Sequence, residues 1–508
     1  MGQKNLAILD ALNSIIEESE DKMKRHLLFI VVLGVLGVSC FIGGTAFGGT
    51  LRIPLDYPTI QAAIDAATDG DTVMVSPGTY VENLVWPQTD NITLVSVNGH
   101  EVTVIDGSGE QESCIYVGNG QKGVMINGFT IRNGYGSFAT FHGRIRFGGG
   151  ILIDENVTAT IINSVIVNNG TGEGEYSGGV FVSVGSDVSV ASCIVANNDA
   201  TGIYFRNFAP NGAIKNCLIT NNGVEATGSA WNGGGIYCQS SPIELHSNTI
   251  VHNSGPGLIF YVPWPTVNNN IIVENAGSAI LSNDPDSSDL ITHNDLWNNA
   301  GGDYIEIWMP WYPDIYIVGE NGNISSIPLF VGGDPFDYHL TENSSCIDTG
   351  TSVGAPDTDI DGTARPQGDG YDIGACEFLS VIHVNIDIKP GSYPNCFNNN
   401  GKGVIPVAIL SDPDSGFDAT QVDPSTVKLS GLSIKIAGKS DKLLAHIKDA
   451  NGDGISDLVT QIQDSGGAFE PDTTMATVTG NLYQEYGGAA IEGTDEICIV
   501  PKNELGRD

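Results

Sequence analysis

The string "DANGDGISD", residues 449–457, sets Asp449, Asn451, Asp453 and Asp457 at loop positions 1, 3, 5 and 9, with Gly454 at 6 and the Ile455 carbonyl at 7. Hard oxygen donors at that spacing suit Ca²⁺, and the glycine allows the sharp bend between them. Thr460 stands at position 12, where a switching loop carries glutamate, and the flanking residues alternate like strands, so the expected ion is structural. A second set of reactive types lies in "GYGSFATFHGRIRFGG", which brings His142, Arg144 and Arg146 together in an otherwise acidic chain. Arginines there could neutralise a uronate while His142 or a tyrosine removes a proton, which is the chemistry of a polysaccharide lyase. A glycosidase would instead need two carboxyls about 5 Å apart, or about 6.5–9.5 Å apart. Asp154 has no acid at the equivalent place of a neighbouring repeat, so Glu173 or Glu175 would have to supply the partner from a loop.

The whole chain limits what such groups can meet. Its 508 residues carry 60 acids against 21 Lys plus Arg, a formal charge of -39. That charge repels a phosphate backbone, so nucleic acid is not an expected partner. After Met23, "KRHLLFIVVLGVLGVSCFIGGTAFGG" joins a basic cluster to an uncharged run and small residues, the form of a secretory signal over 23–48. Membrane contact is expected only if that segment stays uncleaved. Cys40 lacks the leucine that a lipoprotein signal wants, since Gly37 holds its place. Residues 1–22 carry no core-forming pattern and read as an extension, or as residues ahead of the true start.

The elements that must position these groups announce themselves by repetition. "NSVIVNN", "ASCIVAN", "NCLITNN", "SNTIVHN", "NNIIVEN" and "HNDLWNN" align without gaps, and their last residues form a column: Asn169, Asn197, Asn222, Asn253, Asn275 and Asn299. Three positions earlier sit Ile166, Ile194, Ile219, Ile250, Ile272 and Leu296. A second column follows: Gly150-Ile151, Gly179-Val180, Gly202-Ile203, Gly235-Ile236, Gly257-Leu258 and Ala279-Ile280. Each repeat holds short alternating runs rich in β-branched residues and none with helical period. A single coil cannot bury its own apolar side chains, but stacked coils align equal positions roughly 4.8 Å apart and close a continuous core. The expected fold is therefore all-β, a right-handed parallel β-helix. Stacked at a bend, its asparagines would satisfy backbone groups that no ladder reaches, beside a column of aliphatics. An open stack exposes its end, and "YPTIQAAIDAATDGDTVMV" offers a capping helix, with Pro58 in the first turn and Ile60, Ala63, Ile64 and Ala67 on one face.

These residues carry a resemblance. "YPTIQAAIDAATDGDTVMVSPGTYVENL", "GFTIRNGYG", "GGGIYC" and "SSCIDTGTSVGAPDTDIDGTARPQGDGYDIGACEF" are similar to the right-handed β-helix proteins of the pectin lyase-like superfamily, grouped as carbohydrate-binding and sugar-hydrolase repeats. It covers residues 51–378 and implies the fold and a polysaccharide partner. The opening segment also resembles the start of pectin methylesterases, but that family's signature motifs are absent, so no catalytic residue is carried over.

Alternation after the glycine column turns the second residue of each strand outward: Leu152, Phe181, Tyr204, Tyr237, Ile259 and Leu281. The fourth lies beside it: Asp154, Ser183, Arg206, Gln239, Tyr261 and Asn283. Three adjacent aromatics on an outer face could pack against sugar rings. Long loops bearing His142, Arg144, Arg146, Glu173, Glu175, Tyr176 and Trp231 should wall that face. External aromatics that stack on one another beneath a loop are the structural alternative.

From 381 to 501 the coil pattern gives way to longer alternating runs, "GVIPVAIL", "STVKLSG" and "TTMATVTGNL", read as a smaller β-sandwich, with 502–508 as a tail. "IDIKPGSYPNCFNNNGKGVIPVAIL", "GKSDKLLAHIKDANGDGISDLV" and "GTDEICIVP" resemble an appended domain of bacterial and archaeal exported proteins. Two disulfides are expected at the boundaries, Cys346 with Cys376 and Cys396 with Cys498. Cys114, Cys193, Cys217 and Cys238 read as buried thiols, and "DTDIDG", Asp357 to Gly362, as an ordered turn. The reading is an exported or cell-surface protein that contacts polysaccharide as a binder or structural element. A lyase or hydrolase of uronate-rich glycan, and a purely architectural surface protein, are its alternatives.

Overall fold

In the computed structural model the described residues are 48–500, apart from 119, 141–144, 172–176, 207–211, 224–233, 261–264, 283–289, 307–316, 333–336, 439–441, 484–485 and 487. Of the expected features, the segments 1–22 and 23–47 and the residues Cys40, His142, Arg144, Glu173, Glu175, Tyr176, Trp231, Tyr261 and Asn283 lie outside that set.

Three parallel sheets form the stack among the described residues. The first has ten strands, from Thr50–Ile53 to Ile291–Thr292, the second nine, from Leu84–Val85 to Tyr304–Glu306, and the third eight, from Gly78–Val81 to Ile271–Val273. One coil runs Thr158–Ile162 in the first sheet, Val165–Val167 in the third and Ser177–Val182 in the second. Equal offsets do become neighbours: Ile151 pairs with Val180, Val180 with Ile203, Ile203 with Ile236, Ile236 with Leu258, and Leu258 with Ile280. Their side chains point into one continuous apolar core with those of Ile166, Ile219, Ile250 and Ile272.

The amide ladder exists, with one correction. Each asparagine donates its side-chain amide to the next side-chain oxygen: Asn169 to Asn198 at 3.1 Å, Asn198 to Asn222 at 2.9 Å, Asn222 to Asn253 at 3.0 Å, and on through Asn275 to Asn299 at 2.9 Å each. The second coil thus contributes Asn198 instead of Asn197, and Val195 instead of Ile194 pairs with Ile166 and Ile219. Asn197 is exposed at φ +53, in a column of left-handed corner residues with Asn168, Asn221, His252, Glu274 and Asn298. Asparagine tolerates that conformation better than most residues. It therefore has two uses at one corner, and a pair of consecutive asparagines lets the alignment slip by one.

A second ladder, five residues upstream, turns the corner between the first and third sheets. Asn248 donates to Asn270, Asn270 to Asn294 and Asn294 to Asn323, at 2.9, 2.9 and 3.0 Å. Cys217 and Cys193 hold the same offset in earlier coils, and the Cys217 backbone N–H donates to Asn248 Oδ1 at 2.9 Å. These thiols are the small buried members of that ladder, as expected of Cys193 and Cys217.

The N-terminal end is capped by the helix Ile60–Ala66, with Ile60, Ala63 and Ile64 buried in the coil core. Thr59 is its N-cap, so Pro58 precedes the helix and does not join its first turn. Glu82 closes the helix start by accepting from the backbone amides of Ile60 and Gln61 at 3.0 and 2.9 Å.

The other end closes differently. After the last coils the chain lies as a strap along the outer face of the third sheet, where Tyr338, Leu340, Cys346 and Ile373 cover Leu218, Val251, Ile271 and Val273. Asn269 holds the strap by exchanging hydrogen bonds with the Thr351 backbone at 2.7 and 2.8 Å. In the "DTDIDG" turn, Asp359 accepts from the amides of Asp361, Thr363 and Glu377 at 2.9, 2.7 and 2.9 Å, and the fully buried Arg365 pairs with Glu377. The expected Cys346–Cys376 bridge is not formed: both thiols are free. The Cys346 thiol faces Asp295 Oδ2 at 3.3 Å, whereas Cys376 opens on a separate cavity, so the strap is held by hydrogen bonds at the place assigned to a covalent staple.

Beyond it, a five-stranded sheet and a four-stranded sheet share a core of Ile388, Val407, Ile409, Val427, Leu429, Leu458, Ile462, Val478 and Ile491. This is the smaller β domain, with its sheets face to face. Cys396 and Cys498 are disulfide-bonded across a two-stranded sheet, 102 residues apart in sequence.

Candidate functional site

The second sheet presents the aromatic column. Phe181, Tyr204 and Tyr237 stand in register, with ring centroids 5.2 and 4.5 Å apart, the first pair edge to face and the second stacked. They do not form an open platform: their exposures are 0, 3 and 7%. A hairpin pairing Ser137–Phe138 with Arg146–Phe147 folds over the column, and Phe147 seats its ring 4.4 Å from that of Phe181. Ala139, Leu152, Ile259 and Leu281 complete a second apolar cluster outside the coil core. A stripe of that size left in water would be costly, and the hairpin removes it.

The polar column beside it is also engaged. Asp154 is fully buried; its Oδ2 accepts from the Tyr116 hydroxyl and the Thr140 backbone, each at 3.0 Å, and from the Thr140 hydroxyl. Tyr204 donates its hydroxyl to Gln239 Oε1 at 2.7 Å, and Arg206 is in register with Gln239. Arg146 anchors the hairpin: it donates to the carbonyls of Gln111 and Gly136, lies 3.6 Å from Glu112, and sets its guanidinium over Phe138, 4.6 Å from the ring centroid. Of the expected site residues, the structure thus brings together Asp154, Phe181, Tyr204, Arg206 and Tyr237, with Arg146 at the rim.

The open part of this face lies one step toward the N-terminus. Tyr116 is in register with Leu152, so it continues the outward column, and it borders a cavity of about 430 Å³. Glu110, Glu112, Ser137 and Phe138 line the same cavity, and Phe138 is 46% exposed. Burial and the neighbouring Asp154 push the Tyr116 phenol above its ordinary range, keeping it a neutral donor. Sequence alignment missed Tyr116 because its coil lacks the glycine pair; the alternating "CIYV" is the signal that could have found it.

The strap carries a further cluster that the sequence reading did not single out. His339 lies between two carboxylates, Nδ1 at 2.7 Å from Asp337 Oδ1 and Nε2 at 2.8 Å from Asp361 Oδ2. Those carboxylates hold the imidazole up at about 9. Cys376 joins them at the wall of a cavity of about 330 Å³, its thiol pushed well up by burial.

The loop 449–457 keeps the bend that its spacing requires, with Gly454 at φ +89. Asp449 accepts from the amides of Gly452 and Gly454 at 2.6 and 3.0 Å, Asn451 from that of Asp453 at 3.1 Å, and Asp453 from that of Ile455 at 2.7 Å. Each such oxygen keeps a second lone pair, so Asp449, Asn451, Asp453 and the Ile455 carbonyl fit a hard cation. Asp457 fits less well: it is fully buried and gives both oxygens to backbone amides, of Ser411 at 2.9 Å and Ala450 at 2.8 Å.

Residues 78–229 and 149–310 match the family model described as the right handed beta helix region. Stacked sheets and family match together define the repeat region as a right-handed parallel β-helix, the architecture that the resemblance to pectin lyase-like proteins implied. A cell surface glycoprotein of Methanothermus fervidus is 30% identical over 159 residues, which are 31% of this chain. The match spans 23% of that relative's length. Among solved structures, an alginate lyase from Paenibacillus sp. str. FPU-7 aligns with 50% of this chain and 95% of its own, at 14% identity and a TM-score of 0.29. The full-length tailspike protein 2 of Escherichia coli O157:H7 bacteriophage CAB120 aligns with 86% and 65%, at 11% and 0.24.

Proposed function

We propose that this is a cell-surface or secreted β-helix protein that binds polysaccharide at the groove of Tyr116 and Phe138. One observation carries the reading: an aromatic in register with the covered column faces an open cavity instead of another ring. Sugar rings present C–H faces that pack on aromatic rings, and a few polar groups then fix their orientation. Glu110 lines the rim, while Glu112 is offset by Arg146 at 3.6 Å, so the groove keeps a slight negative balance that suits a neutral or amino-bearing glycan. Display at the surface is supported by the signal-like run after Met23 and by the name of the Methanothermus relative. Among the described residues no helix is long and apolar enough to cross a membrane.

Titration calorimetry of the full chain against neutral, amino-bearing and uronate-rich glycans tests this. Phe138→Ala with Tyr116→Ala should weaken the preferred glycan at least tenfold, while Tyr116→Phe should retain most of the affinity. Unchanged affinity in the double variant would overturn the site, and no binding to any glycan would leave an architectural stack. New unsaturated ends would indicate a lyase, and new reducing ends without unsaturation a hydrolase. We also propose that the loop 449–457 holds a structural Ca²⁺ through Asp449, Asn451, Asp453 and the Ile455 carbonyl.

A further inference from the structure

The strap brings a nitrogen, an oxygen and a sulfur donor to one point. A ring nitrogen of His339, an Asp361 carboxylate oxygen and Cys376 Sγ all lie within 4.8 Å of one another, and among the described residues this is the one such trio of His, Cys, Asp or Glu. We propose that these three residues bind a zinc-class divalent transition ion, with Asp337 orienting the imidazole from behind.

The donor set argues for that class. A thiolate and an imidazole beside one carboxylate suit Zn²⁺ and its neighbours in the transition series, whereas Ca²⁺ and Mg²⁺ want oxygen alone. Zinc bonds to N, O and S of about 2.0–2.3 Å set tetrahedral ligand edges of about 3.3–3.6 Å, so the Nε2–Oδ2 pair, at 2.8 Å, opens by about 0.5 Å about a central ion while the sulfur, within 4.8 Å of a donor atom on each residue, closes on it. The Nε2–Oδ2 hydrogen bond of 2.8 Å is the contact that the ion replaces. On the other ring nitrogen, Nδ1–H donates to Asp337 Oδ1 at 2.7 Å, so an ion that displaces the Nε2 proton is left with the carboxylate–histidine arrangement that supports metal-bound imidazoles.

The backbone under each ligand is already fixed. Val331 donates to the His339 carbonyl at 2.8 Å, Asp359 accepts from the Asp361 amide at 2.9 Å, and Ala375 and Glu377, either side of Cys376, donate to Thr249 Oγ1 and Asp359 Oδ2 at 3.1 and 2.9 Å. Three separate turns of the strap therefore present their ligands without first having to order. An ion there cross-links 339, 361 and 376 and so clamps the strap over the third sheet. The 330 Å³ cavity that all three residues line admits a solvent molecule as fourth ligand.

The test uses the full chain with its Cys396–Cys498 disulfide intact, stripped with a chelator under anaerobic conditions, then titrated with Co²⁺ and, in a second series, Zn²⁺. The expected result is one ion per chain with a thiolate-to-cobalt charge-transfer band in the near ultraviolet. That band should vanish in Cys376→Ser, which keeps the wild-type circular dichroism, and His339→Gln should lower Zn²⁺ affinity at least 100-fold. Asp337→Asn should lower it by about 10–100-fold, as loss of such a supporting carboxylate does. The calcium-type loop has no sulfur, so the band separates the two sites. Should Cys376→Ser fail to fold, slowed alkylation of Cys376 in the presence of Zn²⁺ gives the same answer in the wild-type chain. No band, a band that survives Cys376→Ser, or alkylation indifferent to Zn²⁺ would overturn the proposal.

Discussion

Asn169 and Asn198, 29 residues apart, share two hydrogen bonds: the side-chain and backbone amides of Asn169 both donate to Asn198 Oδ1, at 3.1 and 3.0 Å. The Asn198 amide passes the pattern on, donating to Asn222 Oδ1 and to the Ile166 carbonyl at 2.9 and 3.1 Å. Asn198→Ala strands several buried donors and acceptors and should cost about 3 kcal/mol or more. Asn197→Ala removes only a residue suited to positive φ and should cost about 1 kcal/mol. Urea midpoints of the two variants measure the difference, and equal losses would contradict the ladder's register.

Tyr204 is 3% exposed and packed between Phe181 and Tyr237. Tyr204→Ala should therefore lower stability by about 3–5 kcal/mol, as truncating a buried aromatic does. Tyr204→Phe loses the hydrogen bond to Gln239, about 1 kcal/mol, and should leave glycan affinity as it was. A stable Tyr204→Ala chain that had lost glycan affinity would make the stripe itself a binding surface.

Asp295 is buried beside Cys346, with its Oδ1 on the Ser326 amide and Asp303 nearby, and burial raises its carboxyl to about 6. A folded-state value above the unfolded one, near 3.9, means that the native chain holds its proton more tightly. Stability from this group is complete below about pH 4 and is lost as pH rises through about 6. Asp295→Asn should gain about 2 kcal/mol on wild type between pH 4 and pH 7.5. Asp372, raised to about 7 by burial, acts in the same direction and stays in both chains, so only their difference reports Asp295. Parallel stability profiles for the two chains would exclude the effect.

Chelation tests the loop of the β-sandwich domain. With free Ca²⁺ at about 100 times its dissociation constant, bound calcium contributes about 2.7 kcal/mol. In chain already freed of transition ions, EGTA should then lower the melting temperature of the wild type, and Asp453→Ala should melt alike with and without it. A wild-type melt unmoved by EGTA removes calcium from the fold.

Repetition made the stack legible. The residues that follow the Gly150 to Ala279 column, Ile151 to Ile280, pair each with the next in the second sheet. At Asn197-Asn198 the alignment slipped, because composition cannot distinguish a corner asparagine from an inward one. Tyr116 escaped the alignment because its coil lacks the glycine pair, and the His339, Asp361 and Cys376 cluster because nothing in the linear chain repeats around it.

The chain by itself determined the coil, its aliphatic core and its amide corner, since identical offsets must bury identical side chains once the coils stack. It also marked the second domain, and the bend of the loop 449–457, where Gly454 takes φ +89. Only the tertiary structure decided what lies on the outside of the stack. A hairpin closed the aromatic column and a strap covered the third sheet, leaving Cys346 and Cys376 apart and bringing His339, Asp361 and Cys376 together. Those contacts are made once, between segments far apart in sequence, and a single non-repeating contact leaves no period to read.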